Sequence, residues 1–127
     1  MEHYIVKDNL KPPRLIDGEC SIKNEHWSVP RLIRLSADFP TFEVDLASID
    51  LDVDPWGLHS VLDFCTHMQR AEQCNVQSPV IMSPSGWIMD GWHRVVKAIM
   101  EGRRTILAVR FTELPPADRI EDLTDNG

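Results

Sequence analysis

The alternation of apolar and polar positions predicts several short strands. Phe42, Val44 and Leu46 alternate with acidic residues, which is the period of a half-buried strand. Other strand signals are short apolar or β-branched runs bounded by turn residues such as glycine and proline. The segments with either pattern are 42–46, 79–82, 87–89 and 105–111.

Two segments have helical spacing instead. Asp54-Pro55 can begin a long helix, because the aspartate can cap it and proline suits the first helical position. Apolar residues then recur at helical spacing, at Leu58, Val61, Leu62, Cys65 and Met68. This predicts a helix from about 55 to 73 with Cys65 in its buried face. A shorter helix from about 91 to 101 has a buried stripe at Val95, Val96, Ile99 and Met100, and Gly102 ends it.

The two ends of the chain have weaker patterns. Residues 1–26 are polar, contain Pro12-Pro13 and predict an irregular arm. Trp27 to Leu35 predicts an edge strand interrupted by Pro30. From Glu113 onward the chain is acidic and proline-containing, which is typical of a segment without fixed structure. The predicted organisation has three parts: an N-terminal arm with an edge strand (1–40), an α/β (α+β) domain with a mixed sheet (41–111) and an acidic flexible tail (112–127).

Composition narrows the class of protein. A length of 127 residues suits one domain. Three cysteines without a CxxC spacing argue against a disulfide framework or zinc knuckle. No apolar run approaches the ~20 residues of a membrane helix. The N-terminus also lacks a signal-peptide pattern. We therefore expect a cytoplasmic protein without a membrane partner.

The net charge of −7 is unevenly distributed. Residues 41–56 carry five acidic residues and no basic one, and 113–127 carry five acidic residues and one arginine. Residues 91–110 carry five basic residues and one glutamate. DNA coating requires clustered lysine and arginine, so we expect at most weak DNA binding. An acidic chain with one basic segment indicates a local anion site.

The basic segment begins with the sequence Asp90-Gly91-Trp92-His93-Arg94. A helix N-terminus exposes unpaired N–H groups and attracts anions. Gly91 permits close approach of a phosphate, and Arg94 can hold phosphate oxygens bidentately. His93 can donate a hydrogen bond or move a proton. Asp90 is expected to cap the helix, and Trp92 is either a platform for a base or a core residue.

The order of elements from Pro79 to Phe111 resembles the core of the ParB/sulfiredoxin superfamily. That order is strand, turn, strand, a Gly-x-His-Arg turn, short helix, Gly102 and strand. The segment Gln77-Ser78-Pro79 is similar to the family's proline-led approach after its long helix. The resemblance covers residues 41–111 and implies nucleotide binding, with ATP or CTP as the ligand. In the family, the residues matching Gly91, His93 and Arg94 touch nucleotide phosphates. Two neighbours complete the predicted set, Ser78 and Lys97. Lys97 is one turn beyond His93, where it either faces the same anion or faces water.

Two departures from the family exclude specific activities. Trp92 occupies the position of the catalytic cysteine of sulfiredoxin, so sulfinic acid repair by that route is excluded. Partitioning ParB proteins have an arginine-rich turn and a downstream helix-turn-helix domain. This chain has His93 in the turn and only 16 residues after Phe111, so we do not expect centromere binding.

Three functions remain as predictions. The first is a nucleotide-binding domain with slow NTPase or phosphotransferase turnover, in which His93 is catalytic. The second is a metal-dependent DNase of ParB-like type, with Asp50 and Asp52 holding Mg²⁺ and Asp52 catalytic. The third is a non-enzymatic regulatory or inhibitory protein of plasmid or phage type that acts on a protein partner, which the acidic surface suits.

Two polar series in the chain have competing interpretations. Asp50, Asp52 and Asp54 alternate, so an extended segment would place all three carboxylates on one side. Asp54 is better explained as a helix cap. His59, Asp63 and His67 recur at every fourth residue, a spacing that can bind a metal, but a solvated helix face is the favoured interpretation.

Overall fold

The computed structural model describes residues 18–122. It contains seven strands, three α-helices and one 3₁₀ turn. The strands are β1 (Glu19–Ile22), β2 (Glu25–Ser28), β3 (Phe42–Asp45), β4 (Val80–Met82), β5 (Ile88–Asp90), β6 (Thr105–Arg110) and β7 (Arg119–Ile120). The helices are α1 (Val29–Leu35), α2 (Val61–Gln73) and α3 (Trp92–Met100), and the 3₁₀ turn spans Leu46–Ser48.

A four-stranded mixed sheet forms the centre of the fold, in the order β3-β6-β4-β5. Strand β6 runs antiparallel to β3 and parallel to β4, while β4 and β5 are antiparallel. A parallel pair requires a crossover connection, and here the segment with β5 and α3 supplies it. The expected small α+β domain with a mixed sheet and a short helix near 91–101 is confirmed.

Both faces of this sheet are covered. Alternate residues of a strand point to opposite faces. Val80 of β4 and Ile106 of β6 pack with Val95 and Ala98 of α3 on one face. On the other face lies a second cluster, formed by Trp27, Leu32, Ile81, Met89, Val109 and Phe111.

The long helix begins later than the sequence predicts. It starts at Val61, and the hydroxyl of Ser60 caps it by accepting from the N–H of Asp63. The Asp54 carboxylate instead accepts from the N–H groups of the next turn, those of Trp56, Gly57 and Leu58. Asp54-Pro55 is therefore a turn signal in this fold, and the prediction of a helix from 55 is wrong.

The buried face of α2 is the opposite of the predicted one. Asp63, His67 and Ala71 are its buried residues. Val61 is 78% exposed, and Cys65 is also exposed rather than in the core. The prediction fails because the polar side chains of this helix find partners inside the protein, which periodicity alone does not reveal.

The N-terminal region is more regular than expected. Strands β1 and β2 form an antiparallel hairpin within the predicted irregular arm. The edge strand predicted from Trp27 ends at Ser28, and α1 follows it. Pro30 lies in the first turn of α1, where a missing N–H costs nothing, and the Ser28 hydroxyl accepts from the N–H of Arg31.

The described part of the acidic tail is fixed to the N-terminal hairpin. Strand β7 pairs antiparallel with β2. The indole N–H of Trp27 donates to the carbonyl of Pro115 at 2.8 Å, and Arg31 donates to that of Pro116 at 2.7 Å. The expectation of a tail without fixed structure is thus wrong up to Asp122. None of the helices within residues 18–122 has the length and apolarity needed to cross a membrane.

Candidate functional site

The turn between β5 and α3 requires glycine for its backbone. Gly91 is the N-cap of α3 and has φ of +114°, a conformation that L side chains rarely adopt. A Cβ at this position would lie 2.6 Å from Cγ1 of Val80. The close approach that needs glycine is therefore an approach by Val80 of the neighbouring strand. Asp90 was expected to cap α3, but Gly91 occupies the cap position instead.

Arg94 closes this turn from within. Its Nη1 donates to the carbonyl of Pro79 at 2.7 Å, and its Nη2 lies 3.3 Å from Oδ2 of Asp90. The guanidinium thus joins the segment before β4 to the end of β5. Both side chains of the ion pair are about one-fifth exposed. The predicted phosphate ligand Arg94 has a structural role in this fold.

Lys97 lies one turn after His93 on α3, beside the C-terminal end of α2, and Ser78 lies in the loop between α2 and β4. The Lys97 ammonium donates to the carbonyls of Glu72 and Cys74 at 2.9 and 2.8 Å. A cation there stabilises the C-terminal end of α2. The N–H of Ser78 donates to the carbonyl of Asn75 in the turn that follows. The Lys97 ammonium is therefore bound by the end of α2, and the backbone of Ser78 by the turn after that helix.

A cleft of about 850 Å³ opens in front of α3, and we call it the hairpin cleft. Its walls are the hairpin segment 18–23, the loop 53–59, one side of α2 and the segment 87–93. Gly91, Trp92 and His93 line it, whereas Arg94, Lys97 and Ser78 do not. Of the predicted phosphate-binding residues, Gly91 and His93 are thus the two that face this cleft.

His93 forms a pair with His67 of α2 at the wall of the hairpin cleft. Nδ1 of His67 lies 2.9 Å from Nε2 of His93, which is hydrogen-bond distance. The ring centroids are 5.1 Å apart and the planes differ by 17°. The two imidazoles therefore lie edge to edge in nearly one plane. His67 is only 3% exposed, so this pair is part of the packed structure.

The indole of Trp56 covers both rings of the pair. Its centroid lies 4.2 Å from that of His67 and 4.6 Å from that of His93, with interplanar angles of 21° and 16°. The indole is thus nearly parallel to both imidazoles and stacks on the pair. Sequence reasoning favoured a solvated His67, although the spacing of His59, Asp63 and His67 was a usable signal. Asp63 and His67 of that series are buried, whereas His59 precedes the helix and is exposed.

The carboxylates of the hairpin cleft have partners within the fold. Glu19 lies 2.8 Å from Arg119, and Asp90 is paired with Arg94. The buried Asp63 accepts from the backbone N–H of His59 at 3.0 Å. Arg70 and Lys23 also line the cleft and contribute positive charge. These pairings lower the electrostatic cost of placing an anion beside three acidic residues.

Cys20 contributes a thiol to the same cleft, but it is a poor nucleophile. Burial, and after it the negative charges of Asp90 and Glu19, raises the pKa of the Cys20 thiol to about 11. Reactivity requires the thiolate, so Cys20 is neutral and inert at neutral pH.

None of the acidic series Asp50, Asp52 and Asp54 lines the hairpin cleft. Residues 50–54 form a loop rather than a strand, and Oδ1 of Asp50 accepts from the N–H of Asp52 at 2.9 Å. Asp50 lines a separate cleft of about 610 Å³, and Asp52 lines neither. Within residues 18–122, no group of three or more histidine, cysteine, aspartate or glutamate side chains is placed to hold a metal ion.

No protein family, curated protein or solved structure matches this chain. The interpretation of the cleft therefore depends on its own geometry.

Proposed function

We propose that the protein binds the phosphates of a nucleotide, ATP or CTP, in the hairpin cleft in front of α3. The observation that carries this proposal is the position of the α3 N-terminus. Its first turn and His93 line the cleft, and Gly91 supplies no side chain to cap it. The first N–H groups of a helix have no carbonyl partner within the helix, so an anion is a suitable partner.

The size and lining of the cleft support the same proposal. Its volume of about 850 Å³ falls within the range of ~300–1,000 Å³ typical of small-molecule sites. Arg70 of α2 and Lys23 of the hairpin supply positive charge to the lining. The resemblance to the ParB/sulfiredoxin superfamily belongs to this proposal, with Arg94 shaping the turn rather than holding phosphate.

Turnover would give His93 a second role. A phosphoryl-transfer site works by positioning, by charge stabilisation and by a group that orients or deprotonates the nucleophile. His93 is the titratable group at the start of α3 and already shares a hydrogen bond with His67. An NTPase or phosphotransferase activity would therefore use this residue as its acid or base.

Calorimetric titration with ATP, CTP and GTP, with and without Mg²⁺, tests the proposal. Arg70→Gln should lower nucleotide affinity about tenfold or more, because a charge-assisted contact contributes roughly 1.5–3 kcal/mol. Arg103→Gln is the matched control. Arg103 lies outside the cleft and pairs with Glu101, so its loss should leave affinity unchanged.

Thermal unfolding of both variants verifies that each is folded. Absence of saturable binding for every nucleotide, or equal affinity in wild type and Arg70→Gln, would contradict the proposed site.

A protein partner is a second candidate, favoured by exposed apolar side chains on α2 and α3. Val61 and Phe64 are 78% and 50% exposed, and Met100 is 76% exposed. Apolar side chains displayed on helices are typical of interaction surfaces when they form a patch. A regulatory protein would use such a surface independently of turnover. Replacing Phe64 by Glu should then abolish partner binding without changing nucleotide affinity.

A further inference from the structure

We propose that His67 is a positioning residue that shares one proton with His93, so that the two imidazoles act as a single titrating group at the start of α3. The inference rests on the proposed function only for its ligand, a phosphate ester. The pairing itself follows from the packing of α2 against α3. It assigns a role to a buried titratable side chain that the sequence places on a helix far from the phosphate-binding turn.

The contact distance restricts the protonation of the pair. A hydrogen bond of 2.9 Å between two ring nitrogens needs one N–H and one bare nitrogen. If both rings were protonated, two N–H groups would face each other at this distance. The pair therefore holds at most one positive charge while the contact persists. Groups coupled this strongly titrate as a pair rather than as separate residues.

Trp56 favours the singly charged pair. An indole face attracts a cation lying over it within about 6 Å, and both imidazole centroids are closer than this. The coplanar arrangement keeps both rings in contact with the indole wherever the proton resides. Trp56 belongs to the loop that follows Asp54, so this loop packs on both rings of the pair.

The charged groups around the pair are of both signs. The groups on α2 that line the same cleft are Asp63 and Arg70. The hairpin contributes Glu19 and Lys23, and the loop contributes His59. Asp90 at the end of β5 is already paired with Arg94. The positive end of the α3 dipole disfavours protonation, and a second proton would also be repelled by the first.

The consequence concerns ligand binding. A singly charged pair at the N-terminus of α3 attracts a phosphate, and loss of its proton removes that attraction. Phosphate affinity should therefore fall across one pH step that belongs to the pair. Without His67, His93 would titrate alone. The pH at which phosphate affinity falls would then shift.

The direct test is an NMR titration of the histidine ring nitrogens in the protein without ligand. In wild type, the rings of His67 and His93 should report the same two pH steps. In His67→Asn, whose amide reaches the position of Nδ1 but does not titrate, His93 should report one step. Glu72→Gln is the matched control, because Glu72 is an exposed titratable residue of the same helix that does not line the cleft. That variant should leave the His93 titration unchanged.

Independent single steps for His67 and His93 in wild type would overturn the proposal, even if no variant folds. An identical His93 titration in wild type and His67→Asn would also overturn it.

ATP affinity measured from pH 5 to pH 9 separates this inference from the proposed function. The ratio of ATP affinity at pH 5 to ATP affinity at pH 9 should change at least threefold in His67→Asn and remain unchanged in Glu72→Gln. If no protein binds ATP, the proposed function fails and the NMR titration still decides the pairing. If ATP binds with the same pH dependence in all three proteins, the role of His67 in phosphate affinity is contradicted.

Discussion

At the residue scale, Arg94 is a residue of the predicted motif whose side chain stabilises the fold. Its guanidinium satisfies the Pro79 carbonyl and the Asp90 carboxylate at once, and so fixes the segment that presents His93. A surface ion pair contributes little, but a half-buried arginine with a backbone carbonyl and a carboxylate contributes more. Arg94 acts on the site through the shape of the turn.

We predict that Arg94→Ala destabilises the protein by about 1–3 kcal/mol, because two half-buried acceptors lose their partner. Urea unfolding measures this change. Arg103→Ala, which loses an exposed pair with Glu101, should cost less than about 0.5 kcal/mol. If Arg94→Ala kept wild-type stability and lost only nucleotide binding, Arg94 would be a phosphate ligand, as the motif first indicated.

At the element scale, the buried face of α2 is determined by its contacts with the rest of the fold rather than by its apolar stripe. It turns Asp63 and His67 inward and displays Val61 and Cys65. Its C-terminal carbonyls are held by Lys97 from α3. The contact between the two helices is thus partly polar, and it sets the distance between His67 and His93.

Lys97→Met should destabilise the last turn of α2, since the stem is retained while the cation at the helix end is lost. We expect a loss of about 1 kcal/mol in unfolding free energy. Amide hydrogen exchange should accelerate most at the end of α2. Arg104→Met, at an exposed position before β6, is the control and should leave exchange in α2 unchanged. Unaltered protection of α2 in Lys97→Met would refute this capping role.

At the scale of the whole molecule, the hairpin, α1 and the tail cover one face of the sheet. Asp118 secures the tail, since its carboxylate accepts from the N–H of Ser28 at 2.7 Å and lies 3.2 Å from Arg31. The hydrogen bond from Ser28 and the charge of Arg31 lower the pKa of Asp118 below its ordinary value of 3.8. The same hairpin forms a wall of the hairpin cleft, so tail docking supports the site.

Acid should therefore weaken the tail contact. The charged carboxylate is favoured in the folded state, so its contribution to stability is present above pH 3.8 and is lost as pH falls below it. Asp118→Asn should lower the midpoint of thermal unfolding at pH 6. The difference between the midpoints at pH 6 and pH 3 should be smaller in this variant than in wild type. Asp38→Asn, an exposed control in the turn after α1, should change neither. An equal acid dependence in wild type and Asp118→Asn would contradict this assignment.

The sequence by itself determined the strands of the central sheet, the short helix α3 and the turn at Gly91. These features depend on neighbours within a few residues: the alternation of Phe42 and Val44, the apolar run before Ser83, and a glycine where φ is positive. Local patterns of this kind reflect the two periods of regular structure and the steric freedom of glycine.

Only the tertiary structure decided which side of α2 is buried, where the tail lies and what Arg94 binds. His67 and His93 are 26 residues apart, and Trp27 and Pro115 are 88 apart. Polar residues can be buried when groups distant in the sequence satisfy their hydrogen bonds. The hydropathy pattern of a helix does not predict those partners. The spacing of His59, Asp63 and His67 is therefore visible in the sequence. The burial of Asp63 and His67 depends on the packing of α2 in the folded protein.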